Sequence, residues 1–188
     1  MMARPRRALA ATAIGVILAA AAIAPGFRPM VAANAAPAAS AVNVAAIDAA
    51  GLKRAVSSRK NKVVVVNFWA TWCGACVEEF PSLVALQKKY RAKGMELVTV
   101  SFDDTQDLQT KVKPFLNKSG LATGTYINKT GNDLDEAYLR YLEPKLPTDA
   151  AVPLPRTYIF ARNGKLVKTL VGGQTAANFE KAITAYLK

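Results

Sequence analysis

Histidine is absent from the 188 residues, and cysteine occurs only twice. A tetrahedral nitrogen–sulfur zinc centre needs four such ligands, so one copy of this chain does not supply them. Covalent haem attachment needs a histidine directly after the second cysteine of a CxxC pair, and Val77 stands there instead. Acid is scarce as well, with 13 Asp and Glu against 25 Lys and Arg. Residues 1–35 hold Arg4, Arg6, Arg7 and Arg28 and no acid, which leaves 21 basic and 13 acidic residues in the remainder, or +8. The lysines are scattered, as ordinary solubility charge is, although a basic surface also suits acidic partners or an anionic membrane face. No nucleic-acid motif accompanies that charge, so nucleic acid is not an expected partner. Internal repeats are missing too, and the length suffices for one domain plus an export segment.

The N-terminus reads as that export segment. Arg4, Arg6 and Arg7 form a basic start, and Ala8 to Ala24 is an uncharged run of 17 residues. Ala33-Asn34-Ala35 then offers the small residues of a signal-peptidase site. No cysteine follows the apolar run, which excludes a lipoprotein anchor. Seventeen residues lie at the lower edge of a bilayer span, so an uncleaved membrane anchor is the second reading. The expected division is a signal peptide at 1–35, a flexible tether at 36–46 and one domain at 47–188. The expected location is the periplasm or cell envelope.

The domain is organised around Val63-Val64-Val65-Val66-Asn67-Phe68-Trp69-Ala70-Thr71-Trp72-Cys73-Gly74-Ala75-Cys76. A β-branched run reads as a strand buried on both faces, here delivering two cysteines to a helix start. Exported proteins meet conditions in which disulfides persist. A bond closing so short a loop is a weak staple, because stabilisation grows with loop length. The pair is therefore read as a redox-active dithiol, with Cys73–Cys76 as the redox group and no other cofactor. A sulfur at a helix N-terminus meets unpaired N–H groups and the positive end of the dipole, both favouring the thiolate. Cys73, the outer of the two, is the expected nucleophile, and Cys76, one turn further in, the expected resolving thiol.

Around this stretch the periodicity predicts alternating elements. A short helix should run from an Asp48 cap to about Ser57, and a helix from Cys76 to about Lys93, with Val77, Phe80, Leu83 and Val84 inward and Pro81 kinking it. Met95–Phe102 should be a strand, followed by a helix from about Thr105 to Gly120. Thr125–Ile127 should be a short strand and Asp133–Leu142 a helix, within an irregular region at 121–152. Thr157–Phe160 and Leu166–Val171 should form a hairpin, and Thr175 should cap a last helix through Leu187. Parallel crossovers followed by an antiparallel pair make an α/β fold with a mixed central sheet and helices on both faces.

Phe68-Trp69-Ala70-Thr71-Trp72-Cys73-Gly74-Ala75-Cys76, with Glu79 and Pro81 after it, resembles the TlpA/ResA-type branch of exported thioredoxin-like proteins. The resemblance covers roughly residues 47–188. It implies a thioredoxin-like fold with an insert before the final hairpin, and thiol–disulfide exchange on protein substrates. A membrane thiol reductase would be the electron donor, in roles such as cytochrome c maturation, oxidase assembly or envelope redox maintenance. It also implies a cis-proline facing the dithiol. Leu154-Pro155-Arg156-Thr157-Tyr158 matches that pattern, which makes Leu154 and Pro155 the expected substrate-binding pair, with Pro153 the rival. Glu79 is either a buried acid exchanging protons with the thiols or a solvated helix acid. Asn67 departs from thioredoxin, which has an acid there, so the proton-accepting task passes to Glu79 or water. Trp72 is expected to flank the active surface and Trp69 to sit in the core. Gly74-Ala75 lacks the histidine found in strong oxidants, which favours a reductant. A thiol oxidase or isomerase is the enzymatic alternative, and a copper-delivery or assembly module using the same thiols the non-enzymatic one.

Overall fold

The computed structural model describes residues 42–131, 136–147, 150 and 152–188. The export segment, residues 36–41 of the expected tether and Asp133–Asp135 of the expected helix lie outside the described residues. Six strands form one sheet in the order β1-β4-β3-β2-β5-β6. At its centre is β2 (Val63–Trp69), every residue of which is buried. It pairs in parallel with β3 (Met95–Ser101) and antiparallel with β5 (Arg156–Phe160). On one side the sheet continues to β4 (Thr125–Asn128) and β1 (Ala45–Ile47), both parallel additions. On the other, β6 (Leu166–Val171) closes the hairpin with β5.

The period-two alternation of β2 divides the core. Val63, Val65 and Trp69 face the layer containing α2 (Gly74–Tyr90), where Trp69 packs on Phe80 and Phe115 at centroid distances of 4.8 Å each. Val64, Val66 and Phe68 face α1 (Ala49–Ser57) and α4 (Glu136–Leu142), and Phe68 meets Tyr138 and Tyr158 edge-on. Asn67 is the one polar position of the α2-facing row. The first layer is completed by α3 (Lys113–Ser119) and α5 (Ala176–Thr184). Helix α1 begins where expected, with Asp48 accepting from the Gly51 N–H at 2.7 Å. Gly94 ends the α2 segment at φ 90°, a backbone state glycine enters without a Cβ clash.

The structure differs from the expected elements in four places. Residues 42–46 are not tether: Val42 and Val44 are buried, and Ala45–Ile47 is an edge strand paired with β4. Three residues give too short an alternation to read from sequence. The segment after Asp104 opens with a 3₁₀ turn at Thr105–Asp107 and a π-helical turn at Leu108–Val112 before α3. Pro114 brings no N–H, so a regular α-ladder cannot run through it from that side. Val77 is exposed rather than inward, because the first turn of α2 stands at the sheet's end while Phe80, Leu83 and Val84 meet the core. Helix α5 stops at Thr184, where the Tyr186 and Leu187 N–H groups turn back to Ile183 and Thr184.

Candidate active site

The site is built where β2 hands the chain to α2. Asp103, fully buried after β3, accepts from the Thr71 N–H at 3.0 Å and from the Thr71 hydroxyl, and from the Ser101 hydroxyl at 2.6 Å. Those bonds hold the Ala70–Trp72 turn, and the Cys73 N–H closes it on the Ala70 carbonyl at 3.2 Å. Cys73 then serves as the N-cap of α2, its Sγ accepting from the Cys76 N–H at 3.3 Å. The two sulfurs are joined in a disulfide, with Cα atoms 5.2 Å apart. Cys73 retains 9% exposure and Cys76 none, so an incoming sulfur reaches Cys73 first. Trp72, 62% exposed, stands beside it.

The second wall is the start of β5. The Leu154–Pro155 peptide is cis, while Pro153 stands exposed one residue further out. Arg156 pairs with Phe68 across the sheet, which brings Pro155 level with Trp69 at the dithiol end. The Pro155 carbonyl accepts from the Gly172 N–H at 2.9 Å, closing β5 onto the end of β6. Leu154 is half-buried against both core layers.

Glu79 is the third component. It lies one helical turn beyond Cys76 and is 4% exposed, so it is not the solvated helix acid of the alternative reading. One carboxylate oxygen accepts from Asn67 Nδ2 at 3.0 Å and the other from the Gln174 N–H at 2.9 Å. Asn67 Nδ2 also donates to Thr157 Oγ1 at 3.0 Å. Burial penalises the charged form and pushes Glu79 up to about 7, against the pull of the Gln174 and Asn67 donors. A cavity of about 340 Å³ opens beside it, lined by Ala75, Ser82, Gly173, Gln174 and Thr175 among others. No cluster of three metal-ligating side chains occurs among the described residues.

A family model described as Redoxin matches residues 31–184. The chain belongs to the Redoxin family. It is 32% identical over 148 residues to the thiol-disulfide oxidoreductase ResA of Bacillus thuringiensis, covering 79% of this chain and 75% of that protein. It is 30% identical over 133 residues to the thioredoxin-like protein YneN of Bacillus subtilis, covering 71% and 70%. A crystal structure of a putative thiol:disulfide interchange protein DsbE from Chlorobium tepidum superposes with TM-score 0.53 at 30% identity, over 71% of this chain and 85% of that one. A thioredoxin family thiol:disulfide interchange protein from the same organism gives TM-score 0.57 at 23% identity, covering 70% and 84%. This Redoxin member is a ResA/TlpA-type, thioredoxin-like thiol–disulfide oxidoreductase.

Within this Redoxin domain the structure gathers Trp72, Cys73, Cys76, Glu79, Leu154 and Pro155 at one end of the sheet. Three contributors were not singled out from sequence. Asp103 reads as the first residue of a loop, and only the β2–β3 register shows that it reaches Thr71. Thr157 is one of many strand threonines, and its partnership with Asn67 comes from antiparallel pairing across 90 residues. Gln174 acts through its backbone N–H, which no side-chain pattern encodes. The Gly172-Gly173 break before it was the available signal.

Proposed function

We propose that this oxidoreductase works outside the cytoplasm as a reductant of disulfides in envelope proteins, with Cys73 as nucleophile and Cys76 as resolving thiol. The observation that carries the reading is Cys73 at the α2 N-cap, its sulfur taking the Cys76 N–H while Cys76 lies wholly buried behind it. In the reduced protein the Cys73 thiolate attacks a substrate disulfide, forming a mixed disulfide and expelling one substrate thiolate. Cys76 then gives its proton to the Glu79 carboxylate and attacks Cys73 Sγ. The Cys73–Cys76 bond forms, the second substrate thiolate leaves, and two electrons have passed to the substrate. Glu79 releases its proton to solvent through the adjoining cavity. Trp72 and Leu154 flank the entering segment, and Leu154 offers the backbone groups for extended pairing.

Regeneration needs a thiol donor, and a membrane thiol reductase fits a protein exported behind residues 1–35, whether that segment is removed or kept as an anchor. Among the described residues no helix is long and apolar enough to cross a membrane. Turnover of a protein disulfide by the reduced full chain tests the chemistry, and Cys73→Ser should abolish it. Equilibration with glutathione tests the direction. A reductant is expected below about −200 mV, whereas a value near about −120 mV would make the protein an oxidant and overturn the reading.

A further inference from the structure

Asn67 stands where the α2-facing row of β2 is otherwise Val63, Val65 and Trp69, fully buried, with both core strands of the site as its neighbours. A bare apolar side chain would pack there at no polar cost. What the amide adds is two bonds from one nitrogen, to Glu79 Oε1 and Thr157 Oγ1, at 3.0 Å each. Its Oδ1 is buried and has no partner among the described residues. An unused acceptor in that position costs free energy in the arrangement seen, in which Glu79 only accepts.

We propose that Asn67, steadied by Thr157, is a positioning residue of reversible polarity that keeps Glu79 hydrogen-bonded in both of its protonation states. With Glu79 ionised, the amide donates to it and to the Thr157 oxygen. When Glu79 takes a proton, a half-turn about the terminal side-chain torsion exchanges nitrogen and oxygen. Oδ1 then accepts from the new carboxyl O–H, and the Thr157 hydroxyl, free to rotate, donates to Oδ1. The unused acceptor of one state becomes the working acceptor of the other, at the cost of turning the amide's two N–H donors into the buried place that Oδ1 leaves. A carboxylate at position 67 would do neither. It would meet Glu79 as a like charge at about 3 Å, and the two acids would share one proton.

Among the described residues no other charged group takes this task. On α2, Cys73 and Cys76 are joined, and Glu78 lies on the exposed side. From β5, Arg156 is paired with Glu143. From α5, Glu180 is bound by Lys89 and Tyr90, and Lys181 lines a separate cavity with Lys168 of β6. The 172–175 turn contributes the Gln174 N–H and no charge.

The inference rests on Glu79 as the proton carrier, and the test separates the two. In the full-length wild type, the Glu79 carboxyl carbon and the Asn67 side-chain amide are followed by NMR across pH 5 to 9. The amide signals are expected to shift with the same midpoint as the carboxyl; a flat amide beside a titrating Glu79 would overturn the proposal. In the reduced protein, Asn67→Asp should move the Glu79-linked step in Cys73 alkylation upward by at least about one pH unit. The exchanged pair Asn67→Asp with Glu79→Gln, having one acid and one amide again, should return a single step near the wild-type pH. An unmoved step in a folded Asn67→Asp protein would contradict the role of Asn67. If Asn67→Asp does not fold, the wild-type titration decides alone: amide signals that follow the Glu79 carboxyl support the proposal and flat ones overturn it. A Glu79→Gln protein that keeps the step would overturn the proton-carrier reading itself.

Discussion

A buried carboxyl with only two donors sets the behaviour of the site at the level of single residues. Burial raises Glu79 to about 7 in the folded chain, against 4.5 for a free side chain. Between those values the native state binds a proton that the unfolded chain releases. The resulting stability is therefore fully present below about pH 4.5 and is lost as the pH rises through about 7. The difference is on the order of 3 kcal/mol. Glu79→Gln should flatten that decline, read as urea midpoints of the oxidised protein between pH 4.5 and 8; a slope that persists in the variant would place its origin elsewhere. Asp103 has a structural task instead. It receives the Thr71 N–H and two hydroxyls in a fully buried position, and these bonds fix the turn that presents Trp72 and Cys73. Asp103→Ala strands those donors and should cost roughly 2–4 kcal/mol, measured by denaturant unfolding, with Trp72 fluorescence becoming less sensitive to the redox state.

Among elements, α2 and β5 divide the work between chemistry and access. Helix α2 runs from its Cys73 cap through Pro81 to Tyr90 as one element and carries both sulfurs and Glu79 on consecutive turns. Strand β5 is anchored by Arg156, whose Nε donates to Glu143 at 2.6 Å, with the two side chains only 9% and 14% exposed. Breaking a pair so buried leaves an uncompensated charge, and Glu143→Ala should destabilise the fold by about 3–5 kcal/mol in urea titrations. The same pairing holds the residue after Pro155, so the variant should also lose turnover at temperatures where it remains folded. A stability within about 0.5 kcal/mol of wild type would show that solvent reaches this pair and that β5 is held by the sheet alone.

For the molecule as a whole, the central chemistry was legible because it is local. The Val63–Trp69 run, the CxxC spacing and the Asp48, Cys73 and Thr175 caps each lie within a few residues of the element they define. The contributors that escaped sequence reading are joined over long separations: Asp103 to Thr71, Thr157 to Asn67, Gln174 to Glu79. Each depends on strand register or on a backbone N–H. Strand β1 escaped for another reason, since its pairing with β4 rather than any pattern of its own makes it a strand. The two ends of the sheet also differ in character. Trp72, Val77 and Val171 stand exposed at the dithiol end. Lys53, Arg59 and Lys60 line a groove of about 450 Å³ at the opposite end, before β2 begins. One measurement bears most directly on the account: mass spectrometry of disulfide-linked adducts formed by the full-length Cys76→Ser protein, beside Cys73→Ser, in an envelope extract. Stable mixed disulfides through Cys73 are expected in the first variant and few in the second. Adducts accumulating instead through Cys76 in the Cys73→Ser protein would contradict it.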